Sequence, residues 1–358
     1  MPLLITVDES REVLTMEETL DVLERAYTAL GQGEAVNAPT GGRMDVAVPL
    51  PDGSPGLLFP GTSYVFGSLQ AAIRPLGVFA IRFKSDMVYS ITEGAYRTRE
   101  KYCVEPGRYC GVVLVFSIWN GELLAIIHDS FLQHMRVGAT AGLGAKLLSR
   151  DGAETIGMVG SGGMARTYLE AFSHVRPIRR ARVFSPRREH CEAFAREMRA
   201  RLEIDIVVVD SAAAAARGAD ILATCTDSAQ PVIDAGAIEP GMHLSPVTGS
   251  ELPRDALTRI DLLVRHLDGG NVAYRVGGEV PSLDARDPTR NAEAPTLADL
   301  LTAKASGRST AEQVTCFYNV PGSGVQFAAA GLRVYELAKK RGLGRELPLD
   351  WFLEDERD

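Results

Sequence analysis

What the chain lacks sets its first bounds. No apolar run reaches the roughly 18 residues needed to cross a bilayer, and the opening MPLLITVDESRE carries no basic-then-apolar targeting pattern. A cytoplasmic protein with no membrane partner is expected. Cysteine is sparse. The five residues Cys103, Cys110, Cys191, Cys225 and Cys316 are odd in number, scattered and without a CxxC pair, which argues against a disulfide framework and for a reducing compartment. The six histidines show no HxxxH or HExxH spacing, so no metal site is expected. Positive charge is not in surplus. The formal net charge is -8, spread along the chain, which speaks against a nucleic-acid partner.

What is present suits a globular protein of more than one core. The chain has 358 residues, 46% of them apolar and 23% charged. Thr15–Gly33 reads as an amphipathic helix. Leu20, Leu23, Tyr27 and Leu30 recur at helical spacing, Thr15 and Glu18 form a capping box, and Gly31 ends the run. Residues 40–127 are rich in short apolar stretches broken by Gly and Pro and predict strands. Val112–Ile127 predicts a hairpin, with Asn120-Gly121 suited to a type I′ turn. From Asp129 the rhythm changes. DSFLQHMRVGATAGLGAKLLSR predicts a helix whose Gly138, Ala139, Ala141, Gly142 and Ala145 allow another backbone to approach closely. Strand and helix then alternate through ETIGMVG, MARTYLEAFSHV, RARVFS, REHCEAFAREMRARL, DIVVVD and DILATCT, the pattern of a parallel α/β sheet. A last helix follows Val320 and ends in a Gly cap. No internal repeat is visible.

The most specific motif is GMVGSGGMARTYLEAF, set between a predicted strand and a predicted helix. Gly160, Gly162 and Ala165 form GxGxxA, and Gly163 and Met164 lie between them. In that context Gly160 allows the tight turn, Gly162 the close approach of a pyrophosphate, and Ala165 the packing of helix on strand, while N–H groups at the helix start face the negative charge. An acid at the end of the next strand would hold a ribose 2′-hydroxyl. None is there. The stretch RVFSPRREHC offers Ser185, Arg187 and Arg188 instead, a set suited to a 2′-phosphate. NADP(H) is therefore the favoured cofactor and NAD(H) the alternative.

Several stretches, in order, resemble the ornithine cyclodeaminase/mu-crystallin family: FKSD at Lys84, MRVGATAGLGAKLLSR, VGSGGMAR, ATCTDSAQPVI, GMHLSPVTGSELPRDAL and RVYELAKKRGLGREL. The resemblance implies an α/β fold, with a Rossmann-type doubly wound parallel sheet over residues 131–320. It also implies a split α+β substrate-binding and dimerisation domain from residues 1–130 and 321–358, and a homodimer. It places Arg43 and Arg136 on a substrate carboxylate, a pairing that a guanidinium fork makes well. Lys84 resembles the active-site lysine, and Glu251 stands where the family carries a catalytic aspartate. Glu251 is one methylene longer, a difference in reach of about 1.5 Å. Thr224, Cys225, Thr226, Val247 and Gly249 fall on the cofactor side.

The resemblance implies hydride transfer between a nicotinamide and an α-carbon bearing nitrogen, on a small amino or imino acid. Three activities follow from it: an imino-acid (ketimine) reductase or amino-acid dehydrogenase, an ornithine cyclodeaminase that retains NAD, and a non-catalytic NADPH and small-molecule binder. A phosphorylated cofactor favours the first, because a cyclodeaminase recycles its own NAD. The chain departs from the family in places. Arg254 and Asp255 replace a common lysine, and the segments 86–110 and 264–287 are longer than expected. The first adjoins Lys84, where Tyr89, Arg97, Arg99, Lys101 and Tyr102 add polar groups able to reshape the pocket.

Overall fold

The computed structural model describes residues 1–356, apart from 39–42, 49, 51, 60, 94–95, 268–272, 277–292 and 321. Two sheets organise it. The first has ten strands: β1 (Leu3–Ile5), β2 (Ala35–Asn37), β3 (Arg43–Val46), β4 (Ser63–Ile73), β5 (Val78–Glu93), β6 (Tyr96–Tyr102), β7 (Gly111–Ser117), β8 (Leu123–His128), β15 (Ala273–Val276) and β17 (Arg345–Glu346). Its main path runs β15-β3-β4-β5-β7-β8-β1-β17, with β2 paired to β4 and β6 to β5. The helices α1 (Val7–Val13), α2 (Met16–Gly31) and α8 (Gly324–Arg341) belong to the same core, and α8 lies on β4 and β5. Leu23, Tyr27, Ile73, Val115, Ile127 and Phe327 fill the space between them.

The second sheet has seven strands: β9 (Thr155–Val159), β10 (Arg180–Phe184), β11 (Asp205–Val208), β12 (Ile221–Thr224), β13 (His243–Pro246), β14 (Leu262–Arg265) and β16 (Thr315–Tyr318). The order is β11-β10-β9-β12-β13-β16-β14, and every pairing is parallel. The strand order reverses between β9 and β12, which opens a crevice above their carboxyl ends. The crossover helices α4 (Gly163–Val175), α5 (Arg188–Leu202) and α6 (Ala212–Ala216) and the short α7 (Leu297–Leu301) complete the helices. The fold class expected from the sequence is the one found.

One helix joins the two cores. α3 (Asp129–Leu148) packs closely on α4 along its small residues. A Cβ at Gly138 would lie 2.6 Å from Thr167, one at Gly142 would lie 2.9 Å from Ala171, and one at Gly144 would lie 2.4 Å from the Phe317 ring. The small-residue stripe is thus a contact surface, as its composition suggested.

Three details differ from the sequence reading. Thr15 caps α2 by accepting from the Glu18 backbone, but the Glu18 carboxylate does not return the bond. It takes Arg333 of α8 at 2.7 Å instead. The β7–β8 hairpin is present, but Asn120-Gly121 is not a type I′ turn. That turn needs positive φ at both central residues, and only Gly121, at φ 78, has it. The hairpin closes through Ser117 N donating to Glu122 O. Finally, β15 lies within the sequence range assigned to the parallel sheet yet pairs with β3 of the other sheet. Most of the long 264–287 segment lies outside the described residues.

Candidate active site

The crevice above β9 and β12 is a cleft of about 850 Å³. The glycine turn forms its floor. Gly160 has φ +109, and a Cβ there would lie 2.2 Å from the Cys225 carbonyl oxygen, so the turn admits only glycine. A Cβ at Gly162 would meet nothing within 4 Å, and at this position the backbone faces open space as α4 begins. Ala165 is fully buried beneath the turn and lets α4 sit on the sheet. Gly160, Gly162, Gly163, Met164, Ser185, Arg187, Cys225 and Thr226 all line the cleft. This is the shape and donor set that a dinucleotide pyrophosphate and ribose require. Thr224 is buried at the end of β12, and Val247 and Gly249 follow β13, outside the lining of this cleft.

Arg188 does not turn inward. It is exposed and pairs with Asp210 at 2.7 Å and Glu192 at 3.1 Å. Arg187 lines the cleft with Ser185, and Glu100 and Asp227 line it too. Glu100 has its carboxyl raised by burial and by Asp227, and lowered by Arg187. Glu100 comes from the other sheet. The β5–β6 hairpin reaches over the cleft with Ile91, Thr98 and Glu100, and it docks on the loop after β12. There Thr98 and Ser228 form a β-bridge and Ala229 N donates to Arg97 O at 3.0 Å.

A second group of polar residues gathers where α3 meets β5 and β6. Arg136, expected from the sequence, is 4% exposed. Its Nη1 and Nη2 donate to the side-chain oxygens of Gln326 and Gln133, each at 2.6 Å, and its guanidinium lies 4.9 Å from the Phe327 ring centre. Nε has no hydrogen-bond partner, and among the described residues no carboxylate forms an ion pair with Arg136. Burial, then Arg82, lowers its pKa to about 10. A buried cation held only by neutral acceptors is costly unless an anion joins it.

Lys84 is a quarter exposed, and its Nζ lies 2.9 Å from Asp86 Oδ2. Arg82 forms a buried pair with Asp129 at 2.5 Å, and Tyr109 donates to the same carboxylate oxygen at 3.1 Å. Lys101 lies over the Tyr109 ring at 4.6 Å. His134 bridges this group to the glycine turn. A Cβ at Gly163 would lie 2.8 Å from its ring, and burial, then Lys101, keeps its pKa below the usual value. Arg43 lies in β3 opposite Ala273, and its side chain is outside the described residues.

Glu251 is fully buried and holds Thr226, which lines the cleft, from behind the lining. Oε1 accepts from Thr226 N and Thr226 Oγ1, each at 2.7 Å. Oε2 accepts from Val247 N at 2.9 Å and Thr248 N at 2.8 Å. The carboxylate ties the loop after β12 to the loop after β13. Burial outweighs these four donors and raises its pKa to about 7. The sequence reading gives it the role of acid or base, and in the structure its carboxylate also holds the two loops together.

The model of the ornithine cyclodeaminase/mu-crystallin family matches residues 97–342. The chain belongs to this family. It is 26% identical over 352 residues to the Delta(1)-pyrroline-2-carboxylate reductase of Bacillus cereus (strain ATCC 10987 / NRS 248), covering 96% of this chain and 99% of that one. Among solved structures it resembles the Delta(1)-pyrroline-2-carboxylate reductase of Thermococcus litoralis in complex with NADH and L-proline. The TM-score there is 0.75 at 22% identity, over 96% of this chain and 100% of that one. An archaeal alanine dehydrogenase dimer with bound NAD superposes with a TM-score of 0.74 at 20% identity, over 97% and 99%. The structural relatives thus bind NADH or NAD.

Of the residues singled out from the sequence, the structure brings the glycine turn, Ser185, Arg187, Cys225 and Thr226 to the cleft and Lys84 and Arg136 to the second group. The sequence reading did not single out His134, Tyr109, Arg82, Asp129, Gln326 or the cleft-facing Ile91, Thr98 and Glu100. His134 stands two residues from Arg136 in QHMR, a visible signal. Tyr109, Ile91, Thr98 and Glu100 lie in the 86–110 segment, whose path only the tertiary structure supplies, and Arg82, Asp129 and Gln326 come together from β5, α3 and α8 only in the fold.

Proposed function

We propose that this family member is a nicotinamide-dinucleotide-dependent oxidoreductase that reduces the C=N bond of a small imino acid, or oxidises the corresponding amino acid. The observation that carries this reading is Arg136, a buried guanidinium with neutral partners that lies one short step from the glycine turn through His134. A substrate carboxylate supplies the missing anion. Lys84, with its charge maintained by Asp86, orients the polar atoms next to that carboxylate. Arg43, by resemblance, is the second carboxylate ligand.

The dinucleotide's pyrophosphate would rest on Gly160, Gly162 and Gly163 and its adenosine ribose by Ser185 and Arg187, and it would supply the hydride chemistry. Ser185 and Arg187 support NADP(H), with NAD(H) the alternative. Arg188 is occupied by Asp210 and Glu192, so the phosphate reading rests on one arginine. Glu251 acts by position: it fixes Thr226 in the cleft and Val247 and Thr248 beside it. The β5–β6 hairpin narrows the cleft from above. A homodimer is the proposed assembly.

The test is a panel of pyrroline-2-carboxylate, piperideine-2-carboxylate, iminosuccinate and pyruvate with ammonia, each assayed with NADPH and NADH. Imine-dependent oxidation of either cofactor is expected. Proline and ammonia formed from ornithine without net cofactor change would point to a cyclodeaminase. Cofactor binding without turnover of any substrate would point to a binding protein.

A further inference from the structure

The active-site group holds two lysines in unlike surroundings. Lys84 has Asp86 at ion-pair distance. Lys101 has no ion pair among the described residues, and its Nζ rests 4.6 Å from the Tyr109 ring centre. The β5–β6 register sets Lys101 opposite Val88, so Lys84, Asp86 and Lys101 leave the same face of the hairpin. The charged and titratable groups that face Lys101 are Lys84, Asp86 and Arg82 on β5, Tyr109 in the loop after β6, and Asp129 and His134 on α3. Asp86 lies against Lys84, and Asp129 holds Arg82 and Tyr109. Lys101 thus has two cations and two carboxylates around it but forms no ion pair of its own among the described residues, and its side chain is open to solvent at the site.

We propose that Lys101 is the proton donor of this active site and that its ammonium protonates the substrate nitrogen as the α-carbon is reduced. This rests on the reductase reading above. The step balances with the reduced dinucleotide as hydride source. The hydride forms the C–H bond, and the C=N π pair moves onto nitrogen. That nitrogen takes a proton from Lys101 Nζ, which is left as a neutral amine. Water reaching the exposed side chain then returns the proton. Lys84 is less suited to this task, because its ammonium already lies at ion-pair distance from Asp86. Glu251 is less suited because it is fully buried and both its oxygens are held by Thr226, Val247 and Thr248.

Physical chemistry agrees with that assignment. Burial first, and then the charge of Lys84, lowers the Lys101 pKa to about 8. Solvent access screens part of this depression. A donor whose pKa lies near the working pH gives up and regains its proton readily.

Two measurements test the proposal. Competitive acetylation of the ligand-free protein, read by mass spectrometry from pH 6 to 11, should find Lys101 half-reactive at a lower pH than an ordinary lysine. Lys84→Met should move the Lys101 midpoint upward. With an imine found active in the panel, Lys101→Met should lower kcat by about 10²–10⁴-fold, the range for loss of a general acid. NAD(P)H affinity, read by fluorescence titration, should stay within about twofold by the same assignment to chemistry rather than binding. Lys101→Arg should keep partial activity and move the alkaline fall in kcat to higher pH. A Lys101 midpoint near that of an ordinary lysine, or a Lys101→Met enzyme with wild-type kcat and pH profile, overturns the donor role alone. A wild-type protein that turns over no imine overturns the reductase reading and the donor role with it.

Discussion

Replacing Glu251 with glutamine should erase a pH dependence of stability that this one side chain creates. The carboxyl is fully buried and its pKa stands at about 7 in the folded chain, against 4.5 as the reference value for the unfolded one. Below pH 4.5 both states are protonated. Between 4.5 and 7 the unfolded chain has released the proton and the folded chain has not, so stability falls as pH rises. Above 7 the loss is complete. Each pKa unit is worth about 1.4 kcal/mol, so the full cost is roughly 3 kcal/mol.

Glutamine carries no charge and escapes that cost, but it loses an acceptor. If its NH₂ faces Thr226, the hydroxyl there can turn to accept, and only Thr226 N is left without a partner. One orphaned buried donor costs about 1–3 kcal/mol. Glu251→Gln should therefore be less stable than wild type at pH 5 and about equal to it, or slightly more stable, at pH 8. Thermal melts of both ligand-free proteins at pH 5, 6, 7 and 8 measure this as a shrinking and then vanishing difference in Tm. Parallel curves, with the same gap at every pH, would refute the reasoning. They would mean that Glu251 is ionised throughout and that its four donors outweigh its burial.

Three further outcomes follow from the same structure. Arg136→Met should raise KM for a carboxylate substrate by about 30- to 5,000-fold, since truncating one partner of a buried charge pair costs roughly 2–5 kcal/mol. Dinucleotide affinity by titration should be unchanged, and an equal loss of both would show that Arg136 was misplaced. Gly160→Ala puts a methyl group 2.2 Å from the Cys225 carbonyl at φ +109, so it should weaken dinucleotide binding at least tenfold and lower Tm. Binding as tight as wild type would deny the turn its role. Arg187→Ala should weaken NADPH several-fold more than NADH, because only a 2′-phosphate gains a charge-assisted bond from that side chain. Equal losses in the two titrations would remove the support for NADP(H).

The glycine turn shows how far local chemistry reaches. GxGxxA between a strand and a helix is a short-range pattern whose meaning is set by backbone sterics, and it was readable at Gly160, Gly162 and Ala165. The small residues of α3 were equally plain, because only close packing explains so many in one helix. Ser185 and Arg187 were readable by their distance from the turn, whereas Arg188 was not: whether a side chain enters a cleft or pairs with Asp210 depends on a residue 22 positions away.

Sequence alone therefore determined the two kinds of sheet and the glycine turn, each from periodicity or a motif spanning a few residues, and it singled out Lys84 and Arg136 by resemblance. Only the tertiary structure decided what the carboxylate of Glu251 touches, that Arg136 lacks an anion among the described residues, and that the β5–β6 hairpin brings Glu100 to the cleft and Lys101 beside Tyr109. These facts depend on contacts between segments far apart in the chain, and on burial, which sets the charge state of each group only once the fold has closed around it.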